Sequence, residues 1–259
     1  MIKYQAQLLD EDLEILELKP FCGNFGSKRA LTEAGVKKVF NTHEGLLSKY
    51  YQLTQQEFHN TYTSYLIELL HLVTLMRPVN ENLVNRSSFT HDFSSVIIED
   101  KGATSLRRVP IPYVVGKILQ DYIAYLVIIQ TRQQFVYPTV AKEITNMVAG
   151  DSPLFQYWDL QKSKMVVADT NAVNKALQNQ YPLYRNWHRH SIATQLVKQG
   201  ECRDSLNVFM GHNPSHDHAY SDYSSLSFAP LKKIGSKIEQ LIRHWNVPLL
   251  SPLPAVSGR

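Results

Sequence analysis

The chain has 259 residues, of which 44% are hydrophobic and 19% are charged. This composition supports a sizeable buried core and excludes a wholly disordered polypeptide. The formal net charge is +4, and the basic excess lies in residues 185–259, which carry nine basic and five acidic side chains. No apolar run approaches about 18 residues, and the N-terminus lacks the basic start of a signal peptide. We therefore expect a cytoplasmic protein without a membrane-spanning helix.

The first predicted unit is an N-terminal arm over residues 1–48, made of loops and short helices. A helix is then predicted to begin after Thr54, because Thr54 can cap the first turn and Glu57 follows three residues later. It should end near Met76, because Pro78 disfavours helical backbone in the residue before it. Apolar residues at helical spacing predict one buried face for this helix. They are Tyr65, Leu66, Leu69, Leu70, Val73 and Met76.

Two short strands are predicted next, over residues 96–98 and 108–111, with Lys101 in the connection between them. Residues 113–130 are apolar and predict a helix. The pattern over residues 131–183 is harder to interpret.

The second half of the chain is predicted to be helical. The expected helices cover residues 171–180, 187–198, 205–210 and 231–245. Gly200 suits the position just beyond the end of the second of these, and the last is amphipathic. The elements together predict a mostly α-helical protein with a small antiparallel β-sheet (α+β). Its main domain would cover residues 49–248, followed by an extended, proline-rich tail over residues 249–259.

Four dispersed features carry candidate chemistry. Arg77 follows the long helix, and Lys101 lies at the mouth of the predicted hairpin. The phrase Arg189-His190-Ser191-Ile192-Ala193-Thr194 opens a helix. The phrase Met210-Gly211-His212 places an imidazole 23 residues after Arg189, and two tyrosines follow it closely, Tyr220 and Tyr223.

The order of these features resembles the tyrosine recombinase (phage integrase) family. In that family an arginine ends the phrase T-G-x-R, and a lysine in a β-hairpin precedes a basic residue and V-P-L. The corresponding stretches here are Thr74 to Arg77, and Lys101 with Arg107-Arg108-Val109-Pro110-Ile111. The family phrases R-H-T-x-A-T and L-G-H match the segments at Arg189 and His212. These two phrases, with their spacing, are the specific part of the resemblance, which covers about residues 50–245.

The resemblance implies the tyrosine recombinase catalytic-domain fold and a set of residue roles. A tyrosine would attack the DNA backbone and form a 3′-phosphotyrosyl ester, which keeps the bond energy for rejoining. Arg77 and Arg189 would clamp the phosphate with planar, always-charged forks. Lys101 would protonate the leaving 5′-oxygen as a general acid, and His212 would donate to the phosphate.

Two departures from the family pattern affect these roles. The usual histidine three residues before the second arginine is Asn186 here, and an amide cannot accept a proton near neutral pH. The nucleophile is displaced, because Ser221 stands where the family commonly has tyrosine. The phrase Tyr223-Ser224-Ser225 resembles a divergent branch of larger bacterial integrases, which favours Tyr223, with Tyr220 as the runner-up.

The expected partner is double-stranded DNA, bound by a tetramer of the chain as family members are. Candidate DNA-contacting side chains are Arg107, Arg108, Arg185, His188 and His190. The resemblance implies no metal or other cofactor. A metal site at His212, His216 and His218 is a weaker alternative, because no glutamate base motif accompanies these histidines.

Two further functions stay open from the sequence. A DNA-binding relative that has lost catalysis would explain Asn186 and the displaced tyrosine, and a type IB topoisomerase-like enzyme would use the same chemistry. The family usually carries a DNA-clamping helical domain before the catalytic one, and the arm over residues 1–48 is too short for it. The chain is therefore a fragment of a longer protein or a minimal type, expected in the cytoplasm and associated with the nucleoid when bound to DNA.

Overall fold

The computed structural model describes residues 19–20, 29–78, 84–99, 106–168, 183, 186–212 and 228–253. Its helices in these ranges are α1 Glu33–Leu47, α2 Gln55–Thr74, α3 Tyr113–Gln133, α4 Pro138–Ala149, α5 Trp187–Lys198, α6 Arg203–Met210 and α7 Phe228–His244. Its strands form antiparallel pairs: β1 Lys19–Pro20 with β2 Arg29–Ala30, β3 Ser95–Glu99 with β4 Leu106–Pro110, and β5 Gln156–Asp159 with β6 Lys164–Val167. The prediction of a mostly helical protein with small antiparallel β-structure is confirmed.

Helix α2 is the centre of the molecule. Thr54 caps it as predicted: its side chain accepts a hydrogen bond from the backbone N–H of Glu57, and the Glu57 carboxylate accepts one from the N–H of Thr54. The helix ends at Thr74, two residues before the predicted position, because Leu75 adopts a left-handed conformation with φ of 54°. All residues over 65–74 are buried, not one face alone as predicted. Neighbouring elements surround this half of the helix.

Helix α1 lies within the predicted N-terminal arm and packs against α2. Thr32 caps its first turn, accepting a hydrogen bond from the N–H of Gly35 at 3.2 Å. Val36, Val39 and Phe40 are fully buried in the same core as α2. Residues 1–18 and 21–28 lie outside the described part of the chain, and the domain division at residue 48 stays a prediction.

Helix α3 confirms the predicted helix at 113–130 and extends it to Gln133. By length and composition this helix could cross a membrane. The sequence analysis had expected no segment of this kind. Less than half of its most apolar window is buried inside the protein. The buried face includes Tyr122 and Tyr125, whose rings contact that of Tyr62 on α2.

The sequence analysis missed two elements after residue 130, and it also missed the β1–β2 pair within the predicted N-terminal arm. Helix α4 begins with Pro138 in its first turn and ends at Gly150, whose φ of 92° suits glycine. Its buried residues recur at helical spacing, and this signal could have found it: Val140, Ala141, Ile144 and Met147. The β5–β6 hairpin was also missed. The helix predicted over residues 171–180 lies outside the described residues.

The three C-terminal helices are confirmed, but α6 begins two residues and α7 three residues earlier than predicted. Helix α5 ends at Lys198, two residues before Gly200, which has the expected positive φ of 80°. Helix α7 buries the predicted stripe, which consists of Ile234, Ile238, Leu241, Ile242 and, just beyond the helix, Trp245. The start of the tail returns to the core, where the carbonyls of Pro248 and Leu250 accept hydrogen bonds from the hydroxyls of Tyr65 and Tyr62.

Candidate active site

Arg189 is a predicted site residue that hydrogen bonds anchor in the described structure. It lies in the first turn of α5 and is 5% exposed. Its Nη1 donates to the carbonyl of Leu75 at 2.6 Å, and its Nη2 donates to the carbonyl of Met210 at 3.0 Å. Nη2 also lies 2.8 Å from Nε2 of His212. Because a guanidinium only donates, Nε2 of His212 accepts, and the proton of this imidazole is on Nδ1.

The two helix ends that meet Arg189 are shaped by their local sequences. Helix α2 stops at the left-handed Leu75, and helix α6 stops at Gly211, which has φ of 70°. Each of these ends turns the following residue away from its helix axis. After α2 the chain reaches Arg77 and Pro78, two and three residues beyond Leu75. After α6 it reaches His212, directly beyond Gly211. A helix C-terminus carries partial negative charge, so the Arg189 cation is stabilised between the two ends.

Arg77 follows this contact directly. It is half-buried and lies two residues after Leu75, so its Cα is at most about 7.6 Å from that of Leu75 by chain geometry. The structure brings the guanidinium of Arg189 and the imidazole of His212 together, and Arg77 lies two residues along the chain from the Leu75 carbonyl that Arg189 binds. His212 is exposed, so the site opens to solvent there.

The β3–β4 hairpin contributes two adjacent arginines that face opposite ways, as alternating strand residues do. Arg107 is half-buried and its Nη1 donates to the carbonyls of Thr74, at 3.4 Å, and Phe209. Arg108 is exposed, with Nε donating to Oγ of Ser95 at 2.9 Å and its guanidinium carbon 4.9 Å from the ring centre of Phe228. Arg108 remains a candidate for DNA contact, whereas Arg107 binds backbone at the candidate site.

Lys101, Arg185, Tyr220 and Tyr223 lie outside the described residues, so their predicted roles stay predictions. The described residues on either side show where these four residues are connected to the structure along the chain. Glu99 pairs with Leu106 at the end of the hairpin, and Lys101 comes two residues after Glu99. In the sequence, the two tyrosines come after His212, which is in the site, and before Phe228, whose ring contacts Arg108.

His188 was predicted to contact DNA, and the structure contradicts this. Its side chain is fully buried, its Nε2 is hydrogen-bonded to a carboxylate oxygen of Glu68, and its ring stacks on Trp187 with centroids 3.8 Å apart. Successive residues of a helix point about 100° apart, so His188 faces the core while Arg189 faces the helix ends. A duplex cannot reach His188 in this arrangement.

A buried titratable cluster lies beneath the site, and the sequence analysis did not identify it. It contains Glu68 and His71 of α2, His43 of α1 and His188 of α5. Burial opposes the charged carboxylate of Glu68, but the neighbouring His188 and, to a lesser degree, His71 and His43 lower its pKa overall. Burial lowers the pKa of His71 to about 3, with a further lowering by His188. Burial also lowers the pKa of His43.

The remaining predicted residues of α5 lie at its start. Asn186 precedes the first turn and is half-buried, and its carbonyl accepts a hydrogen bond from the backbone N–H of His190 at 3.2 Å. His190 is also half-buried, and its role as a DNA contact stays a prediction. In the described parts of the chain no group of metal-ligating side chains is close enough to hold an ion. His216 and His218 lie outside those parts.

The arrangement brings the buried guanidinium of Arg189 together with the exposed imidazole of His212, and this pair could bind an anionic group. A guanidinium and an imidazole held together between two helix ends form a rigid set of donors, which suits a phosphodiester. Comparison with protein-family models, curated proteins and solved structures finds no match for this chain.

Proposed function

We propose that the chain is the catalytic domain of a site-specific DNA tyrosine recombinase. The observation that carries the proposal is the contact between Arg189, His212 and the carbonyl of Leu75. Residues from three distant segments meet there, and they are the segments that hold the family-like phrases. A fortuitous match of short phrases would not require these segments to be neighbours in the fold.

The proposed reaction transfers a DNA phosphoryl group to a tyrosine and back. The phenol oxygen of Tyr223 attacks phosphorus and gives its proton to solvent water, while the bond from phosphorus to the 5′-oxygen breaks. Lys101 gives a proton to the leaving 5′-oxygen. The 5′-hydroxyl of another strand later reverses these steps, which joins the new strand and releases the tyrosine. No redox step or nucleotide is needed for this chemistry.

Arg77, Arg189 and His212 would stabilise the charge that develops on the phosphate oxygens. A donor aimed at such charge in a water-poor site contributes about 3–4 kcal/mol. The anchoring of Arg189 by two carbonyls supports this role, because a fixed guanidinium needs no reorganisation when the charge develops. The contact with Arg189 keeps Nε2 of His212 unprotonated, and Nδ1–H would be the donor to the phosphate.

DNA would be bound through its phosphates and held by a tetramer. The basic excess over residues 185–259 and the exposed Arg108 supply positive charge for this binding. Such binding weakens steeply with salt because phosphate contacts release counterions.

The test is a covalent trap with a nicked suicide substrate, made from DNA that flanks the encoding gene. We expect a protein–DNA band on a denaturing gel that is lost in Tyr223→Phe and retained in Tyr220→Phe. Loss in Tyr220→Phe alone would assign the nucleophile to the runner-up. A band that persists in the double variant would refute tyrosine chemistry.

A catalytically impaired DNA-binding relative is the second candidate, and Asn186 favours it. This amide stands at the start of the helix that carries Arg189, where the family has a titratable imidazole. Salt-dependent, site-specific binding without any covalent band would support it. Relaxation of supercoiled plasmid without site preference would instead indicate a type IB topoisomerase-like enzyme.

A further inference from the structure

Arg107 and Arg189 bind the same two helix ends, one residue apart. Arg107 donates to the carbonyls of Thr74 and Phe209. Arg189 donates to the carbonyls of the next residues in each case, Leu75 and Met210. The two guanidiniums therefore form a double bridge between the C-termini of α2 and α6, which carry the residues that lead into the site.

The hydrogen bonds at the end of α6 show which carbonyls are left for the two arginines to bind. The N–H of Gly211 donates to the carbonyl of Val208 at 3.0 Å, and that of His212 donates to the carbonyl of Asn207 at 2.8 Å. This is the pairing of a Schellman motif, which satisfies two of the last four carbonyls of a helix. The other two carbonyls are those of Phe209 and Met210, and the two arginines bind them.

Helix α2 ends in a similar way. The N–H of Leu75 donates to the carbonyl of His71 at 3.0 Å, and the last carbonyl of the helix, that of Thr74, accepts from Arg107. The carbonyl of Leu75 accepts from Arg189. Arg107 thus links the ends of the two helices through the carbonyls of Thr74 and Phe209, and each of these residues directly precedes a partner of Arg189.

We infer that Arg107 is a positioning residue, which holds the ends of α2 and α6 so that Arg189 and His212 keep their contact, and not a DNA-contacting residue as the sequence predicted. The inference rests on the proposed function for its effect on catalysis. The effect of Arg107 on the contact between Arg189 and His212 concerns the protein alone and can be measured without DNA.

Arg108 provides the matched contrast on the same strand. It is exposed, it donates a hydrogen bond to Ser95 and lies over the ring of Phe228, and among the described residues it makes no hydrogen bond with the ends of α2 or α6. Replacing each arginine removes the same charge from neighbouring positions. The two variants therefore separate an effect of position from an effect of net charge.

The experiment compares Arg107→Gln, Arg107→Lys and Arg108→Gln with the wild type. The first readout is the rate of covalent complex formation at saturating suicide substrate, together with the half-saturating DNA concentration. We expect Arg107→Gln to lower the rate by about 100-fold, as misplacement of a catalytic group by about 1 Å does, with the half-saturating concentration unchanged. Arg107→Lys should be intermediate, because an ammonium keeps donors but not the fork.

Arg108→Gln should show the opposite pattern of binding. We expect it to raise the half-saturating DNA concentration and to reduce the salt slope by about one, as the loss of a phosphate contact does. If Arg107→Gln shows this pattern instead, Arg107 is a DNA contact and the inference is overturned. It is also overturned if the Arg107→Gln rate equals that of the wild type.

The second readout is the tautomer of His212 in a long-range proton–nitrogen NMR spectrum of the DNA-free protein. The wild type should show Nε2 as the acceptor and Nδ1 protonated, and Arg107→Gln should show a mixture of tautomers. An unchanged tautomer in a folded Arg107→Gln variant would refute the inference. If the wild type forms no covalent complex, the proposed function fails while this spectrum still decides the role of Arg107. If neither Arg107 variant folds, the residue supports the fold and is not a positioning residue.

Discussion

The buried histidines make the stability of the protein fall in weak acid. His59 and His71 are both on α2 and both buried, and burial lowers the pKa of His71 to about 3 and that of His59 to about 4. In the unfolded chain each imidazole would have its ordinary pKa of about 6.5. Between these values the unfolded state binds more protons than the folded state. The free energy of unfolding is therefore largest above pH 6.5 and decreases as the pH falls.

The size of the effect follows from the pKa differences. Below pH 6.5 each buried histidine lowers the free energy of unfolding by about 1.4 kcal/mol per pH unit until its folded-state pKa is reached. At pH 5 the loss relative to pH 7.5 is about 2 kcal/mol for each residue and about 4 kcal/mol for both. That is a large part of the total of about 5–15 kcal/mol that is usual for a domain. His43 adds a change of the same sign, since its pKa is also lowered.

The assay is urea unfolding followed by tryptophan fluorescence at several values between pH 5 and 7.5, for the wild type and His71→Leu. We expect the variant to lose about half of the acid sensitivity of the two histidines, because leucine does not titrate at this buried site. His91→Gln is the control for removal of an exposed imidazole, and its pH profile should match that of the wild type. A wild-type free energy of unfolding that stays constant between pH 7.5 and 5, or an unchanged slope in His71→Leu, would refute the reasoning.

Three further predictions concern single contacts. Thr54→Ala should lower the free energy of unfolding by about 1 kcal/mol, because it removes the capping box of α2; an unchanged urea midpoint would contradict this. Gly211→Ala should cost about 1–2 kcal/mol, because an L-residue is strained at φ of 70°, and the thermal midpoint would reveal it. Arg189→Lys should slow covalent complex formation by about 100-fold or more while the protein remains folded, because an ammonium cannot replace the fork of a guanidinium; a wild-type rate would argue against the proposed site.

The limits of sequence reasoning are clearest on α5. The sequence predicted this helix and its end before Gly200, and it selected both Arg189 and His188 as functional. Whether each residue faces the core or the site depends on which side of α5 packs on α2, and no local pattern records that. The buried Glu68 partner of His188 is 120 residues away in the chain.

The amino-acid sequence by itself determined the local elements and the order of the family-like phrases. Capping by Thr54 and Glu57, the proline at 78 and the glycines at 200 and 211 act within a few residues, so their effects can be predicted from neighbours alone. Only the tertiary structure decided that α2 is buried on all sides over residues 65–74, and that Arg107 binds backbone carbonyls while Arg108 is exposed. These outcomes depend on packing between segments far apart in the chain, which propensity and periodicity do not describe.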